Sequence, residues 1–455
     1  MAFTRRGFLA ATGSTSLVAA LSACSGSPSP GSSGTAAAKE IVFWNNLPDE
    51  QQLKYFTAHF VDAYPGSAKV VFTQKPNLDR LTQTSLAAGS GPDIIVTPGP
   101  STAVSEFNKA GFLADLTPYE ELFGWDDAFA SWALDTSRVD GKLVTVPTAY
   151  ETMVFFYNPG TLDAAGLKVP TTKDEFEAFC TDLKGAGKIP VAAGNADWKG
   201  ANEWYVGHAF NHGAGPEAVY SALTGETPFT DAAFVDAITR MAGYFANGWF
   251  GGSVESYFTT TFPMAYGQLA DGTAGGMMSG TWDFANLAPY FGEAASNEAT
   301  WDFAQIPALG DNTPSDIWDL AIGQSLGINA KASDLDATAE YLNWLTTDVD
   351  TIIAAVEAVN FQPSPIHIEA SDFSAAADER TVRLYSSMSQ ATTIGYTTWT
   401  FFPPKTETYL IDYFEQVLTG KLSPADYCAG IQEQFAKEFA AGAVPPIPAP
   451  TGHSE

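Results

Sequence analysis

At 455 residues the chain is longer than one ordinary core supports, and two or more domains are expected. Its composition, 45% hydrophobic and only 16% charged, is that of a soluble globular protein. Lys+Arg 22 against Asp+Glu 52 leaves a net charge of −30, which repels phosphate backbones and anionic lipid head groups. Nucleic acid and bare membrane are therefore excluded as partners, anionic solutes are disfavoured, and neutral or cationic ligands are weakly favoured.

The N-terminus is a targeting segment. Thr4-Arg5-Arg6-Gly7-Phe8-Leu9 has the twin-arginine pattern, which implies export of an already folded protein. Residues 8–23 are mildly apolar, too short and too polar to span a bilayer. They end in Leu21-Ser22-Ala23-Cys24, which resembles a bacterial lipobox. That resemblance implies a signal peptide over residues 1–23 and lipidation of Cys24 as the first mature residue. An ordinary cleaved signal with an incidental Cys is the alternative. Residues 24–39 are rich in Ser, Gly, Pro and Ala and read as a flexible tether.

Residues 40–46 read as a strand running out into Asn45 and Asn46. Pro48-Asp49-Glu50 opens a helix with Leu53, Phe56, Phe60 and Tyr64 on one face. A strand over 69–73, a helix over 78–88 and a strand over 93–96 complete a βαβαβ order, which predicts a parallel sheet with right-handed crossovers. Ligands of such sheets sit off the carboxyl ends of strands, which makes Asn45, Asn46 and Thr97 candidates. Asn46 is favoured as a ligand group over a simple turn former. Asp93, before a buried strand, reads as a cap on backbone.

The stretch from Val144 to Asn158 reads as two strands, 143–146 and 153–157, separated by Pro147 and a polar patch. Proline cannot donate to a ladder and belongs at a strand end or bend. The flanking runs are β-branched and aromatic, suited to sheets buried on both faces. A chain leaving one buried sheet and entering another crosses between two lobes. Tyr150 and Glu151 then fall at the cleft.

Beyond the crossing, Thr172 and Glu175 form a capping box opening a helix that runs to residue 183, followed by a strand over 188–192. Trp198, Glu203, Trp204 and Tyr205 lie in or just after a Gly/Asn/Asp-rich loop. Core packing is the ordinary fate of a Trp, but two on such a loop fit it less well. The helix over 231–247 buries Phe234, Ile238, Met241 and Phe245. Between 257 and 280 a helix and a small-residue strand lead to Trp282 and Asp283. An Ala-rich helix covers 335–345, and 351–440 is mostly helical, with Ser423-Pro424 a clear helix start. Trp399 falls in a Thr/Gly/Tyr-rich loop, placed to close over a ligand. Residues 441–455 read as a frayed tail. Cys180 and Cys428 fall in helices far apart in sequence; pairing and separate burial both stay open.

Four stretches in this order resemble the extracellular solute-binding proteins of ABC importers, in the family 1 branch that takes maltose and oligosaccharides. They are the opening strand with Trp44 and its polar exit, and Gly89-Ser-Gly-Pro-Asp-Ile-Ile-Val96, like the family's Gly-x-x-Pro-Asp-Ile/Val strand entry. The crossing follows, with Pro147, Glu151 and Tyr157-Asn158, and then Asp271 to Asp283, like a small-residue strand ending Gly-x-Trp. Thr273-Ala-Gly-Gly-Met departs mildly from the usual Lys-Ala-Ala-Met.

The resemblance covers nearly all of residues 40 to about 440. It implies an α/β, two-lobed periplasmic-binding-protein-like fold of type II, each lobe a mainly parallel sheet flanked by helices. Lobe 1 would comprise 40–148 plus about 302–350, and lobe 2 149–301 plus about 351–440. It implies a monomeric, lipid-anchored receptor on the outer face of the cell membrane, with no catalysis and no cofactor. Such a receptor passes a neutral mono- to oligosaccharide to permease subunits. Trp198, Glu203 and Trp204 would line the sugar cleft, and the Trp282 indole would cover a pyranose face. Asp283 or Glu151 would accept bonds from hydroxyls, and Trp318 and Asp319 would lie near the cleft.

Paired carboxylates beside Trp also describe glycosidases, yet no G-x-S-x-G elbow and no Gly-rich phosphate loop with Lys is present. His208 and His212 have metal-ligand spacing on one helix face, but no catalytic Glu stands between them and no third ligand is evident, so no metal is expected. A polyamine or peptide receptor, or a secreted glycoside hydrolase, are the alternative readings.

Overall fold

The computed structural model describes residues 39–450 except Asn312, so the twin-arginine stretch, Cys24 and most of the tether lie outside the described residues. β1 (Glu40–Asn45) pairs in parallel with β2 (Lys69–Gln74) and with β3 (Ile94–Thr97). Ile41 and Phe43 point from β1 into the core, and the helix Glu50–Phe56 that follows covers them. Its N-cap is Asp49, whose carboxylate accepts from the Gln51 and Gln52 amides at 2.8 Å. The anticipated apolar face is real: Phe56 meets Phe43 at 5.9 Å and Phe60 at 5.2 Å. Asp93 caps backbone as expected, accepting from the Val42 amide at 2.7 Å.

A short hairpin, β4 (Arg138–Val139) and β5 (Lys142–Leu143), precedes the crossing. The polar patch expected to separate two strands is itself strand. β6 (Val146–Glu151) runs through Pro147 and pairs antiparallel with β11 (Trp318–Ile328) from Val146↔Leu326 to Glu151↔Ala321. Proline is tolerated because β6 has a partner on one side only. Ala149 sits at φ +55, a left-handed conformation rare without glycine, at the point where the ladder skips Gly323. β11 also pairs antiparallel with β3 and in parallel with β12 (Ile394–Tyr396), giving the order β12-β11-β3-β1-β2 with β6 on β11.

After Thr152 the chain enters a second sheet of order β10-β7-β9-β8, made of β7 (Met153–Tyr157), β8 (Ile189–Ala192), β9 (Ala274–Gly280) and β10 (Asp302–Ala304). Only β8 and β9 run parallel; β7 opposes both β9 and β10, against the expectation of a mainly parallel sheet. The reason lies at the crossing. β7 begins there while β9 ends there, with Met153 opposite Gly280, so the two must run in opposite directions.

Two segments sit otherwise than the expected division of the chain. β10 belongs to the second sheet, through Phe303↔Phe156, and Trp301 packs on Phe156 at 5.7 Å. The helix Val349–Val359 packs on the first: Gln52 Nε2 donates to the Val359 carbonyl at 3.2 Å. Phe361 stacks on Phe56 and Phe60 at 6.0 and 5.8 Å. In both cases burial of aromatic area, which local periodicity does not encode, decides the side.

Helices Ala201–His208, Ala232–Ala246, Pro404–Leu418 and Pro424–Ala440 form a layer on the second sheet's side. Ser423 caps the last of them, accepting from the Asp426 amide at 3.0 Å. Cys180 and Cys428 are separate, buried free thiols, and burial pushes Cys428 up to about 12. The capping box is present in both directions, Glu175 N to Thr172 Oγ1 at 3.3 Å and Thr172 N to Glu175 Oε2 at 3.2 Å. Replacing Thr172 by Ala should cost about 1 kcal/mol, read as a lower urea midpoint at unchanged slope.

Candidate functional site

Four indoles converge on one cavity of about 580 Å³ on the second sheet's side. Trp198 and Trp204 come from the loop and helix after β8, Trp282 from the turn after β9, and Trp399 from the short helix Thr398–Phe401. Trp204 lies 5.3 Å from Trp198 and 5.4 Å from Trp282, which meets Trp399 edge-on at 5.9 Å. Phe262, Tyr266 and Asn286 complete the wall with Glu203 and Glu407, and neither Lys nor Arg is among the described lining residues. Trp198 is 46% exposed and Trp204 only 5%, so the set grades from rim to floor.

Two of these rings rest on glycine. A Cβ added at Gly200 would overlap the Trp198 indole, and one at Gly280 would overlap the Trp282 ring. The small-residue strand β9 is thus small at its end because an indole lies flat across it.

The acidic groups are shaped by burial. Glu203, 2% exposed, accepts from Thr398 Oγ1 at 2.8 Å; burial, reinforced by Glu407, pushes its carboxyl up to about 8. Burial and then Glu438 push Glu407 up to about 7. Near neutral pH the cavity therefore carries protonated carboxyls, which donate as well as accept hydrogen bonds.

The Trp282 indole also borders a cavity of about 410 Å³ between the two sheets. Asp49 and Gln52 face it from the first half, Thr281 and Phe284 from the second, with Gln362 and Tyr385 beside them. Glu151 stands near this passage, intermediate in exposure, bonded by the Gln362 amide, and pushed by burial up to about 7. Asn45 is buried behind a mutual contact with Gln324 at 3.4 Å, lining an apolar hollow of about 220 Å³, while Asn46 is exposed.

The remaining candidates line none of these three cavities. Thr97 is buried, with its hydroxyl directed to the Gly99 and Ser325 carbonyls at 3.3 and 3.2 Å. Tyr150 is buried against Trp132 at 5.1 Å and donates to the Met388 carbonyl at 3.3 Å. Asp283 is fully buried and accepts from Ser279 at 2.6 Å, Tyr266 at 2.7 Å and Asn286 at 2.8 Å. It thereby holds Tyr266 and Asn286 in the cavity wall. Trp318 and Asp319 are buried in β11, away from the cleft expected for them. The missing third partner of the two histidines is Asp319: its Oδ2 lies 3.0 Å from His212 Nε2 and 3.6 Å from His208 Nδ1. Burial works to raise this carboxyl, and the two imidazoles more than reverse it, holding it down at about 2. Phe262, Tyr266, Asn286 and Glu407 were not anticipated, and no local pattern marks them.

Two sheet-centred halves joined by crossing strands, with an aromatic cleft at the carboxyl end of β9, define a two-lobed solute receptor. The family model described as "Bacterial extracellular solute-binding protein" matches residues 56–381, and the chain belongs to that family. It is 28% identical over 141 residues to the maltotriose-binding protein of Pyrococcus abyssi, covering 30% of this chain and 29% of that one. Against the galactooligosaccharide-binding protein of Bacillus subtilis it is 27% identical over 177 residues, covering 38% and 39%. The chain thus matches well under half the length of these curated relatives. A solved chitin oligosaccharide binding protein superposes with TM-score 0.69 at 20% identity, covering 89% of this chain and 100% of that one. The cyclic α-maltosyl-1,6-maltose binding protein of Arthrobacter globiformis gives 0.67 at 21% identity, covering 88% and 99%. These likenesses fix the two-lobed α/β fold.

Gly280→Ala should fold, because its φ is not left-handed, at a cost of about 1–3 kcal/mol for the overpacked ring. Trp282 should move toward water, read as a red shift of tryptophan emission. A second expectation concerns pH. The folded state keeps the Glu203 proton up to about 8 whereas the unfolded chain loses it near 4.5, so stability falls as pH rises through that window. Glu203→Gln removes this penalty, and its Tm advantage over the parent should grow between about pH 5 and pH 8.

Proposed function

We propose that this chain is the substrate-binding component of an ABC importer and captures a neutral carbohydrate, mono- to oligosaccharide, between its lobes. The observation that carries the reading is the box of four indoles with no cationic lining residue among those described. A flat indole displaces water from the C–H face of a pyranose, and the carboxyls and Asn286 bond its hydroxyls. Trp198, Trp204, Trp282 and Trp399 supply the platforms, and Glu203 and Glu407 the polar contacts, with Asn286. Glu151 and Asn46 are nearer the opposite lobe. The relatives described above are all named for carbohydrates, which supports the class without choosing its member.

Paired glutamates also suit a cationic guest such as a polyamine. Their raised carboxyls weigh toward the neutral one, since near neutral pH Glu203 is mostly protonated and Glu407 only partly ionised. The relatives are binding proteins, and turnover is not part of the proposal. Anchoring through Cys24, twin-arginine export, a monomeric state and delivery to permease subunits belong to the same reading. Among the described residues no helix is long and apolar enough to cross a membrane, which suits attachment by lipid.

Binding couples to closure because a guest touching both lobes stabilises only the closed state. Reversing a mostly open population takes about 5 kcal/mol of differential affinity, and micromolar capture supplies about 8 kcal/mol. Trp282 borders both the indole box and the interlobe cavity, so Trp282→Ala should weaken carbohydrate binding roughly thirtyfold, about 2 kcal/mol, in calorimetry of the folded variant. Unchanged affinity would remove Trp282 from the site. Solution scattering should show a smaller radius of gyration with a bound oligosaccharide and no change with polyamines. Chromatography of the same mixtures should find the sugar intact; released product would favour a hydrolase.

A further inference from the structure

We propose that His208, His212 and Asp319 form a binding site for a divalent first-row transition ion, separate from the indole box and independent of what that box binds. His208 ends the helix Ala201–His208, and His212 lies in the π-helical turn Ala209–Ala214 that continues it, so the two rings share one side. Asp319 reaches them from β11. One ligand atom from each residue lies within 4.8 Å of the other two, and all three residues are buried.

The distances favour a shared ion over hydrogen bonds alone. Neighbouring ligands of a tetrahedral ion with bonds of about 2.0–2.1 Å stand about 3.3 Å apart. The two carboxylate–imidazole separations, 3.0 and 3.6 Å, straddle that value, and one ring nitrogen from each histidine lies within 4.8 Å of the other. As hydrogen bonds, the first is made and the second is too long. His208 Nδ1, which faces the carboxylate, is then left without a partner, where buried polar atoms are normally bonded. A cation takes a lone pair from each imidazole and an oxygen from the carboxylate together, and the carboxylate offsets one of its two charges. Two imidazoles and one carboxylate suit zinc and its neighbours rather than calcium or magnesium, which prefer all-oxygen shells.

The adjoining strand leaves room for the carboxylate. Asp319 pairs in register with Gly395 of β12, and a Cβ there would overlap Asp319 Oδ1. An ion at this point would fasten β11, the strand shared by β3, β6 and β12, to the helical layer of the second half.

The test uses the full chain with any histidine tag removed. It is unfolded in guanidinium with chelator, refolded with and without zinc, desalted, and assayed for bound metal by mass spectrometry. A parallel refolding with cobalt reads the visible absorption of a nitrogen- and oxygen-ligated ion. About one equivalent should be retained, with a higher Tm, and retention should fall at least tenfold in His212→Gln and Asp319→Asn. His208→Gln keeps the His212–Asp319 contact, and Gly395→Ala keeps all three ligands while displacing the carboxylate, so loss of metal in these folded variants separates ligation from misfolding. Retention below about a tenth of an equivalent by the parent, or undiminished retention in the variants, would overturn the site.

Discussion

The arrangement of the molecule depends on one residue, Thr152, where the chain passes from one sheet to the other. It is fully buried, its carbonyl accepts from the Thr281 amide at 3.0 Å, and its own amide donates to Thr281 Oγ1 at 3.3 Å. A buried backbone group must be paired, so this exchange pins the exit of β6 and the end of β9 to the same point. From it follow the opposed directions of β7 and β9 and the position of Trp282 one residue beyond. The aromatic box is built on the side where β9 gives out, since a strand's carboxyl end is where side chains of the next turn are free to face a cleft.

Much of the framework was legible because local signals and tertiary demand agreed. β1, β2 and β3 carry β-branched and aromatic runs, their helices begin at Asp49 and near Leu78, and the parallel pairing follows from that order. The capping box at Thr172 and the start at Ser423 are chemical signals needing no distant partner. The second sheet was misjudged in direction because strand polarity is set by where the chain enters, and periodicity is silent on that.

The candidate site's four indoles, singled out from the sequence, line one cavity, while most of its polar lining went unmarked. Two tryptophans on a polar loop, and one after a strand of small residues, signal a surface because a core would seldom be built that way. Tyr150 and Asp319 showed the limit of the same reasoning. Tyr150 alternates with the half-buried Ala149 and Glu151, so one step along β6 decides between cleft and core, whereas Asp319 sits in a run of β11 that is buried on both faces. Tyr150 turned to Trp132, and Asp319 turned to two histidines whose spacing had been noticed without their partner. Glu407 lies about 200 residues from Glu203 in sequence, and only the folded chain brings both to one cavity.

The bare backbone beneath Trp198 and Trp282 has a consequence for how such a receptor can change its diet. A methyl group at either position acts first on the tilt of a platform, not on whether the chain folds. On the carbohydrate reading proposed above, a change at either glycine would reach the guest through the angle of an indole and not through a direct contact.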